Sequence, residues 1–357
     1  MSVRSISPII ASILIASIIA VIVVIFYVFK FNSTSNSITT TNPPSLNNFS
    51  YYRPILIDNR LYPNTLTNYP ILITLDTQSL ISQGKMRPDC GDIRFTDSDG
   101  NTLLNYWIEP YTCNTNNTKI WVNVPFIPKS STKTIYLLYG NPNATSMSNG
   151  YLVFTFFEDF QNGTIGWTSV LLSGSLGSAS DVWVQSPYGY AGGISLTDKG
   201  GYYASTAALV KNISISDNSV SYCFDAYAMW KIIPRQQPSY DNYAIIISAT
   251  NGTDTKTIAY RLIVGGEPCG RYWIAFSGTC GNKDYLCTPP NTWINISTNL
   301  TNDFLSLCNF KVRNITQISL NVGTWYRTIY GYATNIIIRK CVSPEPFVIL
   351  RDEVKMQ

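Results

Sequence analysis

The side chains of this sequence that could do chemistry are mainly carboxylates, because the chain contains no histidine. Without histidine, Ser-His and Cys-His nucleophilic mechanisms and histidine-bound zinc are excluded. A retaining glycosidase needs two carboxylates about 5 Å apart. Glu158 and Asp159 are adjacent, and adjacent residues of a strand face opposite sides. We therefore predict that they do not act as a catalytic pair, and that one of them makes a surface contact at a domain edge.

A second group of carboxylates has the spacing of part of a calcium loop. Asp97, Asp99 and Gly100 form an Asp-x-Asp-Gly sequence, and Asp92 precedes them. A complete EF-hand loop also needs a bidentate carboxylate at its end, and Glu109 lies one residue beyond that place. A calcium site formed by Asp92, Asp97 and Asp99 is thus the weaker alternative. A hairpin turn at Gly100 is favoured, because the flanking segments are strand-like. No metal and no other cofactor is predicted.

Aromatic side chains are the candidates for ligand binding, since sugars stack on exposed aromatic rings. The segment from Trp230 to Tyr243 is polar, contains proline and has aromatic residues near both ends, as binding loops often do. We predict a binding role for Trp230, Tyr240 and Tyr243, together with Trp273. Packing in a β-sandwich core is the alternative for each, and it is the more common role of such residues.

Eight cysteines indicate an exported chain with disulfides. Cys90 and Cys113 are the two in their half of the chain, so they are predicted to pair. The other six leave many connectivities open, of which Cys223–Cys341 is favoured. Free buried thiols are the alternative, and zinc is disfavoured because no CxxC pair occurs.

Asn-x-Ser/Thr sequences occur mostly at turn-like positions, where a glycan can be accommodated. We predict that several are glycosylated. After the two in the linker, Asn32 and Asn48, the candidates are Asn116, Asn143, Asn162, Asn212, Asn251, Asn295, Asn299 and Asn314.

The segment from Ile9 to Phe29 is uncharged and long enough to cross the roughly 30 Å core of a bilayer. We predict a short leading region (1–7), a transmembrane helix (8–30) and a linker rich in Ser, Thr, Asn and Pro (31–50). The cysteines and glycosylation sequences place everything after this helix outside the cell, as a single-pass membrane protein.

The first residues, RSISPIIASILIASIIAVIVV, resemble the signal segments of archaeal type IV pilins and archaellins. This resemblance implies cleavage after Ser5, which leaves Ile6 as the first residue. An uncleaved signal anchor is the alternative that we favour, because the acidic residue of bacterial pilins is absent.

From Tyr51 onward, short apolar or alternating runs are separated by turn residues at spacings typical of all-β sandwiches. The runs GKMRPDCGDIRFTDSDGNTLLNYWIE and NTKIWVNVPFIPKSSTKTIYLLYGNPNATSMSNG closely resemble the domain-of-unknown-function 2341 family, over residues 51 to about 150. The resemblance implies an extracellular β-sandwich module (51–152) and assigns no catalytic residue.

A second domain is predicted over residues 153–350, with a short tail at 351–357. Its opening FFEDF and its closing NIIIRKCVSPEP resemble concanavalin A-like jelly rolls, which implies two curved antiparallel sheets with the first and last strands adjacent. Glycosidases of that fold carry Glu-x-Asp-x-x-Glu on one strand, and no such run occurs here.

These observations predict an all-β protein of two antiparallel sandwiches behind a membrane anchor, acting in adhesion, glycan binding or envelope structure rather than catalysis. A minor or tip pilin-like subunit is the alternative, and a glycoside hydrolase is a remote one. The expected partners are the membrane, surface glycans and envelope or pilus proteins. The net charge of +4 is small and unclustered, so no nucleic acid is expected.

Overall fold

The computed structural model describes residues 48–174, 176–199, 204–217, 220–233, 241–264, 279–284, 289–325 and 327–356. Within these ranges, no helix is both long and apolar enough to cross a membrane. The predicted span (8–30), the cleavage site after Ser5 and most of the linker lie outside the described residues. Tyr240, Trp273, Cys269 and Cys287 lie outside them as well.

The first half of the described chain contains eight strands and two short helical segments. In chain order these are β1 (Tyr51–Asp58), β2 (Leu66–Leu75), α1 (Thr77–Ser82), β3 (Arg94–Thr96), β4 (Leu103–Leu104), β5 (Tyr106–Ile108), β6 (Thr118–Ile127), β7 (Thr132–Tyr139), a 3₁₀ turn (Gly150–Leu152) and β8 (Phe156–Glu158).

The second half contains thirteen strands and one helix. They are β9 (Thr168–Ser173), β10 (Gly177–Ser186), β11 (Gly189–Asp198), β12 (Ser205–Ile215), β13 (Ser221–Ile233), β14 (Asn242–Thr250), β15 (Thr255–Val264), β16 (Gly281–Asp284), β17 (Ile294–Asn299), α2 (Leu300–Cys308), β18 (Asn314–Thr324), β19 (Thr328–Cys341), β20 (Phe347–Leu350) and β21 (Val354–Lys355).

The first sandwich consists of two sheets. Sheet 1 has the order β20-β1-β7-β3-β4, with β21 also paired to β1, and sheet 2 has the order β2-β6-β5. Strand β2 shows why the sequence folds this way. Ile71, Ile73 and Leu75 are buried, while Leu72 and Thr74 between them are exposed, which is the alternation of a strand with one face in a core.

The end of the chain belongs to the first sandwich. Residues 347–350 were assigned to the second domain on sequence, but they pair with β1 in the register Ile55↔Leu350 to Asp58↔Phe347. The tail also forms a strand, with Tyr52 opposite Val354. The outer edge of β1 would otherwise leave its N–H and C=O groups unpaired, and these two strands supply the partners. The second sandwich is therefore inserted between β7 and β20.

The second sandwich also consists of two sheets. Sheet 3 has the order β10-β11-β19-β13-β17, with β8 paired to β19, and sheet 4 has the order β16-β15-β14-β18-β12-β9. Strand pairs are antiparallel except for the parallel pair β15–β16. The first strand of this sandwich, β8, lies beside its last, β19, as expected. Phe224, Ala226 and Ala228 of β13 point between the sheets into one apolar core.

A separate apolar cluster joins the two sandwiches. Trp107 and Trp121 of sheet 2 pack on Ile337, which lies on the outer face of sheet 3. Phe154 completes the contact from the connecting segment, with ring centroids 5.6 Å from both tryptophans. This junction covers one end of the outer face of sheet 3.

Three disulfides lie within the described residues. Both pairs favoured from the sequence, Cys90–Cys113 and Cys223–Cys341, are present. The third, Cys280–Cys308, ties β16 to the end of α2. The favoured Cys223–Cys341 pair forms because β13 and β19 are neighbouring strands, with Ser221 opposite Cys341.

Candidate functional site

Two of the predicted ligand-binding residues belong to the core. Trp230 is 8% exposed and packs between sheets 3 and 4. Tyr243 has no exposed surface, and its hydroxyl donates to the backbone oxygen of Tyr332 at 2.8 Å. The binding prediction is wrong for both residues, because they occupy inward-facing positions of β13 and β14. The alternative stated for them, core packing, is what the structure shows.

The three aspartates of the possible calcium site have separate partners. Asp92 is buried and accepts from the backbone N–H groups of Arg87 and Gly140. Asp97 forms an ion pair with Lys133 at 2.6 Å. Asp99 accepts from two backbone N–H groups and from the Thr102 hydroxyl, which lowers its pKa. The Asp-x-Asp-Gly sequence is thus a hairpin turn, and no metal-binding group of three is found in the described part of the chain.

Glu158 and Asp159 do not lie on opposite faces, but the predicted surface contact of one of them is present, between Asp159 and the exposed Tyr151. Both carboxylates accept from the Tyr151 hydroxyl, at 3.4 and 3.3 Å, so they face the same group. The rule of opposite faces does not apply, because β8 ends at Glu158 and Phe160 has a positive φ of 54°.

Glu158 is the buried member of the two. It pairs with Lys211 at 2.8 Å and accepts from the indole N–H of Trp167 at 2.9 Å. Its other oxygen accepts from the backbone N–H of Phe160. Burial raises the pKa of the neighbouring Asp159. With both oxygens of Glu158 engaged by protein groups, the cluster is a structural tie at the start of the second sandwich.

The feature of the described surface that best fits ligand binding is the part of the outer face of sheet 3 that the first sandwich leaves open. Side chains of β19 and β13 lie opposite each other there, with Lys231 beside Tyr330 and Met229 beside Tyr332. Tyr227 follows on β13, two residues before Met229. We call this surface the aromatic face; its rings are Tyr188, Tyr227, Trp293, Tyr330 and Tyr332.

The rings of the aromatic face form two groups. Tyr330 and Tyr332 are parallel, with an interplanar angle of 1° and centroids 6.0 Å apart. Tyr188 stacks on Tyr227 at 3.9 Å, and Trp293 meets the edge of Tyr188 at 6.0 Å. All except Tyr332 are partly exposed.

Small inward-facing residues allow β19 to carry these tyrosines. Gly331 lies between Tyr330 and Tyr332, and a Cβ there would come within 2.4 Å of the ring of Tyr243. The strand therefore has Tyr243 packed below it and tyrosines above it. The hydroxyl of Tyr243 fixes the backbone of the same strand from below. Tyr243 is thus a positioning residue for the aromatic face rather than a contact residue.

Polar groups surround the rings. Asp225 accepts from the Ser297 hydroxyl and forms an ion pair with Arg339. Ser195 lies opposite Tyr330 on the other side of β19. Burial raises the pKa of Tyr227 to about 12, and the Glu109 carboxylate of the first sandwich adds to this shift. The Tyr227 hydroxyl therefore stays protonated near neutral pH, where it can act as a hydrogen-bond donor.

The sequence carried a signal for this site. In Thr-Ile-Tyr-Gly-Tyr-Ala (328–333), tyrosines alternate with residues that are buried in the core. The predicted binding residues lie in or beside segments that are loop-like in sequence, so they do not include this pattern within a strand.

A family described as a domain of unknown function, DUF2341, matches residues 89–170. This confirms the predicted resemblance over part of its expected range and extends it into the start of the second sandwich. No curated protein matches the chain.

Several solved structures are similar to the chain at low identity. One is described as a study of the promiscuous specificity of carbohydrate-binding modules from the β-sandwich superfamily, with 12% identity, 77% of this chain and 100% of that chain covered, and a TM-score of 0.34. A family 11 carbohydrate-binding module from Clostridium thermocellum has 14% identity, covers 52% and 95%, and has a TM-score of 0.33.

A family 11 xylanase from Neocallimastix patriciarum has 10% identity, coverage of 52% and 99%, and a TM-score of 0.29. TM-scores of this size do not establish a shared fold, so the assignment to all-β sandwiches rests on the strand pairing described above.

Proposed function

We propose that the chain is a non-catalytic glycan-binding protein of the cell surface, held at the membrane by residues 8–30, and that the aromatic face contacts the sugar. The observation that carries this proposal is a group of tyrosine and tryptophan rings on an open sheet face, with polar groups around it.

The chemistry of the aromatic face suits a neutral oligosaccharide. The C–H faces of pyranose rings pack on aromatic rings, and tyrosine combines an apolar ring with a hydroxyl that can bond to a sugar. Lys231 offers donors beside Tyr330, and the tyrosine hydroxyls of the aromatic face can donate or accept. Two ring groups along one strand direction favour an extended ligand of several sugar units.

The proposed location is supported by the covalent structure. Three disulfides favour an oxidising compartment. The uncharged segment from Ile9 to Phe29 is long enough for a membrane anchor. Sequencing the N-terminus of the native protein tests the anchor: an intact Met1 supports it, whereas Ile6 as the first residue favours the pilin-like route.

A glycan array probed with the full chain, purified in detergent, tests the binding function directly. We expect binding to neutral oligosaccharides that is lost or weakened in Tyr330→Ala. Phe126→Ala is the matched control, because Phe126 is an aromatic residue of the first sandwich that is 51% exposed. Equal binding by the Tyr330→Ala variant and the wild type would show that the aromatic face is not the site.

A further inference from the structure

One glycosylation sequence lies on the aromatic face itself. Asn295, in the sequence Asn-Ile-Ser, is exposed on β17 directly opposite Tyr227 of β13. Opposed residues of an antiparallel pair point to the same side of a sheet, with Cβ atoms about 5 Å apart. Trp293 lies two residues before Asn295, next to the start of the same strand. The Asn295 amide is therefore beside the Tyr188, Tyr227 and Trp293 rings.

The side chain of Asn295 makes no hydrogen bond among the described contacts, whereas the asparagines of two other sequons on strands do. The Asn314 amide donates to Ser214 and accepts from the backbone of Ile215. Asn212 accepts from the Gln317 amide.

The remaining sequons of the two sandwiches lie at turns or caps. Asn299 caps α2 and Asn251 closes a turn, while Asn116, Asn143 and Asn162 lie in turns or loops between strands. Asn295 is thus the sequon whose attached sugar would start on the aromatic face.

We propose that a glycan attached to Asn295 packs on the Tyr188–Tyr227–Trp293 group and competes there with external glycans. This inference rests on the proposed function in its second part only. The free ligand is then left with the Tyr330–Tyr332 end of the aromatic face, so glycosylation at one asparagine sets the affinity of the whole surface.

The attachment follows ordinary glycosyl transfer from a lipid-linked oligosaccharide phosphate. The Asn295 amide nitrogen forms a C–N bond to the anomeric carbon, the C–O bond to the phosphate breaks, and the phosphate leaves with the bonding electrons. The amide gives up one proton to the solvent or to the transferase.

Tethering makes the competition effective. A group held by a short flexible link has an effective concentration in the millimolar range. Sugars that bind single aromatic groups weakly would be displaced by a competitor at that concentration. We expect the external ligand to bind about two- to tenfold more weakly when Asn295 carries a glycan than when it does not.

The first experiment measures attachment and packing without any external ligand. The full chain is purified from its native host, and its glycopeptides are analysed by mass spectrometry after timed mild periodate oxidation. We expect a glycan at Asn295 that is oxidised several-fold more slowly than one at Asn116, and the difference should vanish in Tyr227→Ala. An unmodified Asn295, or equal oxidation rates at the two sites, would overturn the inference even if the aromatic face binds glycans.

The second experiment measures competition. Asn295→Gln and Ser297→Ala both destroy the Asn-Ile-Ser acceptor sequence, the first at its asparagine and the second at its serine. Asn116→Gln destroys a distant acceptor sequence. Both removals at the aromatic face should strengthen binding of the array-selected oligosaccharide by the stated factor, while Asn116→Gln leaves it unchanged. Unchanged binding in Asn295→Gln and Ser297→Ala would refute competition. Absence of binding in every variant, with slow oxidation retained at Asn295, would instead reject the proposed function and keep the packing.

Discussion

The two ends of the outer face of sheet 3 carry similar side chains and have different neighbours. At one end, Ile337 and Arg339 of β19 lie beneath Trp107 and Trp121 of the first sandwich, with the guanidinium of Arg339 4.7 Å from the ring of Trp121. At the other end of the same strand, Tyr330 is partly exposed and Tyr332 is buried, and neither ring belongs to the junction cluster. The first sandwich thus covers the aromatic surface at the junction, whereas it leaves the aromatic face open.

Aromatic content alone therefore does not distinguish an interface from a binding surface. The junction has large apolar rings beside Arg339, which forms ion pairs with Asp225 and Glu345. The aromatic face has tyrosine hydroxyls and short polar side chains around its rings. Substitutions at the junction should change stability, whereas those at the aromatic face should change binding.

The largest expected effect is the loss of stability on removing a disulfide, and it should differ between the two sandwiches. Cys223–Cys341 closes a loop with a sequence separation of 118 residues, against 23 for Cys90–Cys113. Loop-closure entropy gives about 5 kcal/mol for the longer loop and about 3.5 kcal/mol for the shorter one. We expect the Cys223→Ala/Cys341→Ala double variant to lose more stability in urea unfolding than Cys90→Ala/Cys113→Ala. A reversed order would mean that native-state effects outweigh loop length.

Trp121→Ala should be nearly as damaging. Trp121 is 7% exposed, and its removal leaves a cavity against Phe154 and Arg339. A buried tryptophan truncated to alanine costs about 3–5 kcal/mol. The measurement is urea unfolding of the full chain. Phe126→Ala is expected to change the free energy of unfolding by less than about 1 kcal/mol. A small effect of Trp121→Ala would show that the junction contributes little.

Tyr243→Phe tests the support beneath the aromatic face. The change removes the hydrogen bond that the Tyr243 hydroxyl donates to the backbone oxygen of Tyr332, and such a bond contributes about 0.5–1.5 kcal/mol. Both stability and oligosaccharide affinity should fall, because the strand that carries the tyrosines loses its anchor. If affinity stays at the wild-type value while stability falls, Tyr243 is a core residue without influence on the site.

Tyr330→Ala should weaken oligosaccharide binding by about two- to tenfold, which corresponds to the roughly 0.5–1.5 kcal/mol of an aromatic contact beyond its area. Its effect on the urea midpoint should be small, since the ring is partly exposed. Titration calorimetry with the array-selected oligosaccharide gives the affinity. Loss of stability equal to that of Trp121→Ala would remove the distinction between the two ends.

The smallest effect concerns pH at the start of the second sandwich. Burial raises the pKa of Asp159 above its ordinary value, so the folded chain holds this proton more tightly than the unfolded chain. Stability is therefore lost as the pH rises from the unfolded pKa through the folded pKa. Asp159→Asn should melt at a higher temperature than the wild type near pH 7 and at the same temperature near pH 3. A difference that is larger in acid would contradict this sign.

Much of the architecture could be predicted from local sequence. The alternation in β2 and the turn at Asp99 and Gly100 follow from neighbouring residues, because side-chain period and turn chemistry are local properties. The pairing of Cys90 with Cys113 needed only a count of cysteines in that half of the chain.

The rest depends on contacts between distant residues. Nothing near Phe347 in the sequence shows that it pairs with Asp58, since that contact depends on which sheet edge is free. Tyr243 and Tyr330 have similar local patterns, yet one faces the core and the other the outside. The partner sheet decides which face of a strand is covered. The sequence of the strand alone does not contain this information.

The return of the chain to β1 has a mechanical consequence. The backbone N–H of Met356 bonds to the carbonyl of Ser50, so the two ends of the described chain leave the protein side by side. Strand β1 is held by β7 on one side and by β20 and β21 on the other. A pull on residue 50 along β1 loads these hydrogen bonds together in shear instead of opening them one after another. A tether attached at this position would therefore transmit force into the most firmly bracketed strand of the first sandwich.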